Sequence, residues 1–270
     1  MKRNILISIV ILFFLIFTLF PFYWLLSTSF KTRLEIIGGV SFWSINPTFR
    51  NYQRPLFEDV YGFYIRNSFV ISLIEAVLCV ALAIPAAYAF SRLKFKGNNH
   101  LLFWFLTNRM APAAAFLIPY YVLYTYFKLF DTIPGLIIVN SVANLPFAIW
   151  LLKGFIDGIP KDIEEAAIMD GYTFWQILFK ILIPLLRPAI LVTGLFVFVF
   201  TWNEMLFASL FTTSPAAMPL TGGLLHYMSQ TWVNWGEIAA LTIITVLPIL
   251  GVVYYLQRYI ARALTFGAVR

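Results

Sequence analysis

The carboxylates gathered after an apolar run are the first residues in this chain with chemistry to offer. The stretch Pro160-Lys161-Asp162-Ile163-Glu164-Glu165-Ala166-Ala167-Ile168-Met169-Asp170-Gly171 carries four of its twelve acids. Exposed carboxylates of this kind suit a charge-assisted pair with an arginine on another protein. The local signals agree on a short helix. Pro160 sits at an entry, and Asp162, Glu164 and Glu165 favour the positive end of the helix dipole. Ala166 and Ala167 are strong helix formers with little bulk, so a partner can come close. Gly171 offers a left-handed stop. The spacing predicts a second, amphipathic helix from Thr173 to Ile183, ending at Pro184. The expected product is a helix–turn–helix along one membrane face.

A second set of polar residues stands alone inside apolar stretches: Glu75, Arg109 and Glu204, with Asn140 and Asn144 one helical turn apart. Ionisable groups in lipid are costly and face a cavity or a partner. Two uses fit. The groups can line a polar path for a hydroxyl-rich solute, or they can bond between helices and across subunits. Spacing alone leaves both open.

The elements that position these residues follow from composition. Apolar residues make up 61% of the 270-residue chain and charged residues 11%. The mean hydropathy is +0.84. Soluble domains are about half apolar and a quarter charged, so this chain needs lipid as a second solvent. Six stretches approach the length of a span: Ile5–Leu26, Phe69–Phe90, Leu101–Leu123, Ile133–Phe155, Pro188–Leu210 and Ile238–Ile260. The first is too long for a signal peptide and no small-residue cleavage site follows it, so it reads as a retained span. Pro85, Pro112, Pro119, Pro146 and Pro248 fall within spans, where they serve as kinks or as gating points.

With the N-terminus inside, twelve of nineteen Lys and Arg residues flank the inner face and six the outer. That bias favours N-in and C-in ends. It makes residues 28–67 the first outer loop, 156–184 a cytoplasmic loop, and 211–237 a last outer loop. Pro215, Pro219, Gly222 and Gly223 make this last loop read as irregular. The whole of 1–270 reads as one all-α, polytopic domain with six transmembrane helices.

At the acidic segment the chain resembles a known family. Glu165-Ala166-Ala167, then Gly171, then Ile181 and Pro184 follow the signature of binding-protein-dependent ABC importer permeases. Ile183 stands where that signature has leucine. Other segments resemble the carbohydrate branch, notably the smaller maltose-type permease subunit. They are Pro47-Thr48 with Asn51-Tyr52, Asn67-Ser68, Ala86 to Arg92, Trp202-Asn203-Glu204, and Gly267-Ala268-Val269.

The resemblance implies a type I ABC importer transmembrane domain with a cytoplasmic coupling helix. On it, Glu165, Ala166, Ala167, Asp170 and Gly171 would meet an ATPase. The implied partners are a second homologous permease, two ATPase subunits, an extracytoplasmic solute-binding protein and the bilayer. Glu75, Asn140, Asn144 and Glu204 become candidates for a substrate path. Gly222 and Gly223 become candidates for a loop that reaches into the binding protein. The cargo would be a sugar, oligosaccharide or polyol.

Several classes are excluded. A phosphate-binding loop needs Gly-Lys, and no lysine follows a glycine. The chain is therefore expected to bind no cofactor, with ATP and magnesium held by the separate ATPase. His100 and His226 are far apart, so no metal site is expected, and nothing suggests nucleic-acid binding. Cys79, the one cysteine, lies in an apolar run and reads as a small core residue. Two rivals share the composition: an ABC permease for a non-sugar solute, and an ion-coupled secondary transporter.

Overall fold

A backbone in lipid must satisfy its own hydrogen bonds, and long apolar runs do so as helices. The computed structural model describes residues 2–58, 60–228 and 233–266, with side chains described except at 2–6, 58, 108–109, 226–227 and 258–266. Among the described residues every regular element is helical. The Arg109 side chain and Gly267-Ala268-Val269 lie outside them.

The helices are α1 Lys2–Ser29, α2 Arg33–Ile37, α3 Arg50–Gln53, α4 Tyr61–Arg92, α5 Asn98–Met110, α6 Leu117–Tyr126 and α7 Ile133–Asp157. They continue as α8 Asp162–Met169, α9 Phe174–Gln176, α10 Ile183–Trp202, α11 Leu206–Phe211, α12 Leu220–Met228 and α13 Trp235–Phe266. Five helical stretches among the described residues are long and apolar enough to cross a membrane: Ile7–Ser29, Tyr61–Arg92, Ile133–Asp157, Phe174–Trp202 and Trp235–Gln257. The expected span at Leu101–Leu123 instead divides into α5 and α6. Ala111 and Pro112 separate them, followed by a tight 3-10 turn, Ala113–Phe116. Pro112 has no N–H to continue the ladder from α5, and its extended ψ turns the chain away.

α4 is the centre of the bundle, packed against α7 and α10. Cys79, Ala83 and Ala87 fall at every fourth position and are fully buried, as is Ala148 on α7. Small residues at this spacing let two helix backbones approach closely, which is the main packing device available in lipid. α10 packs in turn on α13, where the Trp202 indole N–H donates to the Thr245 carbonyl at 3.1 Å. α1 packs along α13.

The segment after α1 is ordered around one carboxylate. Glu35 closes a capping box with Thr32 and accepts from the Ile45 and Asn46 N–H groups at 2.7 and 2.9 Å. The Asn46 and Thr32 backbone donors hold its pKa down, to about 2. Lys31 is buried, donating to the Ser41 carbonyl with its ammonium 4.6 Å from the Trp24 ring centroid. Arg54 pairs with Glu237 at 3.3 Å. Two of the basic residues that weigh against the positive-inside count are therefore engaged within the fold.

Two expectations need correction. Thr173 to Ile183 is not a separate helix ending at Pro184, because the helix runs from Phe174 to Trp202 without a break. A π segment, Ile177–Leu182, lies just before the proline, and the Ile183 N–H reaches back to the Leu178 carbonyl. That wider turn makes room for a residue with no N–H. The 211–237 segment is also not irregular at its glycines, since Gly222 and Gly223 lie within α12.

Candidate coupling site

α8 is built as its residues dictate. Asp162, Glu164 and Glu165 all fall in its first turn. At its other end Gly171 has φ +83°, the left-handed stop the sequence predicts. The Gly171 N–H bonds the Ile168 carbonyl and the Tyr172 N–H bonds the Ala167 carbonyl, both at 3.0 Å. That pair of bonds is a Schellman closure, which satisfies the last carbonyls of the helix. Thr173 then opens the next helix through a capping box with Gln176.

The two faces of α8 differ. Glu164 and Ala167, three residues apart, are buried against the bundle. Glu165, Ala166, Asp170 and Gly171 are exposed. Of the five expected coupling residues, then, Ala167 faces the chain's own core. The outward side also carries Ile168 and Met169, which are 60% and 87% exposed. Such apolar residues on a short helix need a cover.

Glu164 is the mount. Its carboxylate accepts from the Arg92 Nε at 2.6 Å and from the Tyr88 hydroxyl at 3.0 Å, and both charged side chains are buried. Arg92 also donates through Nη2 to the Ile159 carbonyl at 2.9 Å. The Ser91 hydroxyl bonds Asp157, which pairs with Lys153 at 2.6 Å. The end of α4 is thereby bolted to both the entry and the buried face of α8. Arg92 and Tyr88 carry no role in the sequence analysis beyond family likeness. The available signal was a Tyr and an Arg one turn apart at the end of a span.

The polar residues within the spans do not all meet. The Asn144 amide donates to Glu75 at 3.1 Å and to the Thr201 hydroxyl at 3.3 Å, and Thr201 also bonds Glu75. This buried cluster joins α4, α7 and α10. Asn140 instead donates back to Leu136 of its own helix at 2.9 Å. Glu204 stands at the break between α10 and α11, accepting from the Phe207 and Ala208 N–H groups at 2.8 and 3.0 Å. It completes a helix N-terminus. A cavity of about 670 Å³ lies beside the cluster, lined by aromatic side chains of α5 and α10 with Asn144 and Asn203.

Gly222 and Gly223 are buried packing positions. A Cβ on Gly223 would lie 2.2 Å from the Tyr64 ring, and the Tyr61 hydroxyl donates to the Gly223 carbonyl at 3.1 Å. Within this chain Gly223 is covered by α4, and Gly222 packs against Met218 and against Ala208 of α11.

A helical bundle of this order, with a short helix mounted at the end of one span, is that of a multi-pass membrane protein. The model of the family described as binding-protein-dependent transport system inner membrane component matches residues 79–266, and the chain belongs to that family. It is 36% identical over 266 residues to an inner membrane ABC transporter permease protein of Escherichia coli, covering 95% of this chain and 93% of that one. It is 36% identical over 256 residues to the trehalose transport system permease protein of Mycobacterium tuberculosis, covering 94% and 93%. A crystal structure of a bacterial ABC transporter involved in the import of alginate shares the fold. Its TM-score is 0.83 over 96% of each chain, at 23% identity. The chain is the permease component of an ABC importer in the inner membrane.

Proposed function

We propose that this chain is one of two homologous permeases that form the path for a sugar, oligosaccharide or polyol. A solute-binding protein delivers the cargo from outside, and two ATPase subunits that hold ATP and magnesium drive the cycle. The termini lie inside. Residues 156–184 meet the ATPase, while 28–67 and 211–237 face the binding protein's side.

One observation carries the reading. α8 is clamped to α4 through buried Glu164 while it presents Glu165, Ala166, Ile168, Met169 and Asp170 outward. A cleft on an ATPase supplies the cover for that surface. Closure of the ATPases moves α8, and the Arg92–Glu164 clamp carries the motion into α4. Differential contact with two bundle states then sets which side of the membrane the path opens to. Gly171 keeps the turn tight beneath the docked surface. The carbohydrate assignment is supported by the trehalose relative and by the 670 Å³ cavity, whose aromatic walls suit sugar faces.

The test is affinity purification in mild detergent, identification of every co-purifying chain, and uptake by liposomes holding the purified assembly. Recovery of an ATPase and a second permease, with ATP-dependent uptake of a sugar held by the binding protein, is the expected result. A chain that purifies alone and transports under an ion gradient without ATP overturns the reading. A binding protein that holds only a non-sugar solute overturns the carbohydrate assignment.

A further inference from the structure

Next to the clamp, where α4 hands over to α5, the surface forms a second, differently built cavity that is open to its surroundings. Its volume is about 430 Å³. Its lining includes Arg92, Lys94, Asn98, Asn99, His100 and Lys161, and among the described residues it includes no carboxylate. Arg92 is committed to Glu164 and to the Ile159 carbonyl. Lys94, His100 and Lys161 are exposed, and among the described residues none of them forms an ion pair. Two lysines and a histidine therefore line one concave space whose own lining holds no carboxylate, the nearby Glu164 and Asp157 being engaged by Arg92, Ser91 and Lys153.

The surroundings of the cavity are amphipathic. Leu93 and Phe95 in its wall are 54% and 40% exposed. Farther along α5, Leu101 and Phe103 are 40% and 68% exposed, giving the adjoining helix an apolar surface beyond the basic end. Headgroup chemistry at one end and acyl-chain chemistry along the adjoining helix is the pattern of a phospholipid seat. Basic pockets at the cytoplasmic ends of transmembrane helices bind anionic headgroups, aided by the negative potential of that leaflet.

We infer that this cavity binds the phosphate headgroup of an anionic phospholipid of the cytoplasmic leaflet, held by Lys94, His100 and Lys161. Arg92 stands at the back wall. The lipid therefore sits beside the clamp that mounts α8, and it supports the clamp by neutralising the excess positive charge around Arg92. The inference rests on the N-in orientation proposed above.

The experiment uses the affinity-purified assembly in mild detergent. Phosphatidylglycerol, phosphatidylcholine and inorganic phosphate are titrated separately, and retained lipid is read by native mass spectrometry together with the apparent melting temperature. The variant Lys94→Ala/His100→Ala/Lys161→Ala changes only exposed side chains, and Lys128→Ala is the control at the opposite end of α6. We expect phosphatidylglycerol to be retained at least fivefold over phosphatidylcholine by wild type and by the control, and to raise the melting temperature. Both effects disappear in the triple variant.

Equal retention of the two lipids, or unchanged retention by the triple variant, overturns the proposal. So does a variant that keeps its lipid and loses the ATPase subunit, because the cluster then serves a protein contact. Stabilisation by inorganic phosphate alone, with no added effect of lipid, assigns the site to a free anion and overturns the lipid. Lipid retention is read on this chain itself, so failure of the importer reading is seen separately in which subunits co-purify.

Discussion

Replacing Arg92 with alanine isolates the Glu164 carboxylate. Glu164 is buried, and among its described partners only the Tyr88 hydroxyl would remain. Breaking a buried ion pair from one side costs about 3–5 kcal/mol, because the surviving charge keeps its desolvation penalty. Loss of the Arg92 bond to the Ile159 carbonyl acts in the same direction. Glu164→Gln keeps the shape but leaves the buried Arg92 guanidinium without its counter-charge, so its cost falls in the same range of about 3–5 kcal/mol, towards the lower end because the amide oxygen still accepts a hydrogen bond. Replacing both partners by apolar residues of similar size, Arg92→Met with Glu164→Leu, should cost less than Arg92→Ala alone, the remaining loss being the bonds to the Ile159 carbonyl and the Tyr88 hydroxyl. The assay is hydrogen exchange at the α8 backbone amides in the detergent-purified protein. Since each 1.4 kcal/mol is about tenfold, Arg92→Ala should speed exchange by roughly two to three and a half orders of magnitude. Glu164→Gln should speed it by about two. Exchange in Arg92→Ala within threefold of wild type would refute the clamp as the mount of α8.

Gly171→Ala meets open space at its Cβ, so its cost is backbone strain alone, about 1–2 kcal/mol for an L-residue at positive φ. Faster exchange of the Gly171 and Tyr172 amides, and a smaller effect for Gly171→Asn, are the expected readings. Gly223→Ala drives a methyl into the Tyr64 ring, and overpacking of this kind costs about 1–3 kcal/mol. The melting temperature should fall, and the pair Gly223→Ala/Tyr64→Ala should be milder than the sum of its parts. Glu35 has a folded pKa of about 2, below its ordinary 4.5. Its contribution is therefore fully present above about pH 4.5 and is lost as pH falls through about 2. Protection of the Ile45 and Asn46 amides should follow that course, and Glu35→Gln should reduce it at neutral pH.

Much of the site was legible because its signals are local. The turn at Gly171 follows from one residue's tolerance of positive φ, and α8 from acids, alanines and a glycine in order. The direction of α8's faces was not legible. Glu164 and Glu165 are adjacent and chemically alike, yet one is buried on Arg92 and the other is exposed. Only the rotation of α8 against α4 separates them, and Arg92 lies too far off in sequence for spacing to reveal the pair. Gly222 and Gly223 misled for a related reason. Glycine reads as loop in isolation, but here Gly223 lets α12 approach Tyr64 and Gly222 lets it approach Ala208.

The sequence by itself determined that the chain lives in a bilayer, that its spans are helical, and that a short acidic helix closed by Gly171 follows the fourth apolar run. Those properties rest on composition and short-range spacing, which apply wherever the chain is placed. Tertiary structure alone decided that Glu75, Asn144 and Thr201 meet, that Glu204 caps a helix instead, that the segment around Pro112 is broken, and that Arg92 holds α8. These depend on which helix faces are brought into contact, and close packing of small residues between α4, α7 and α10 sets that only once the bundle has formed.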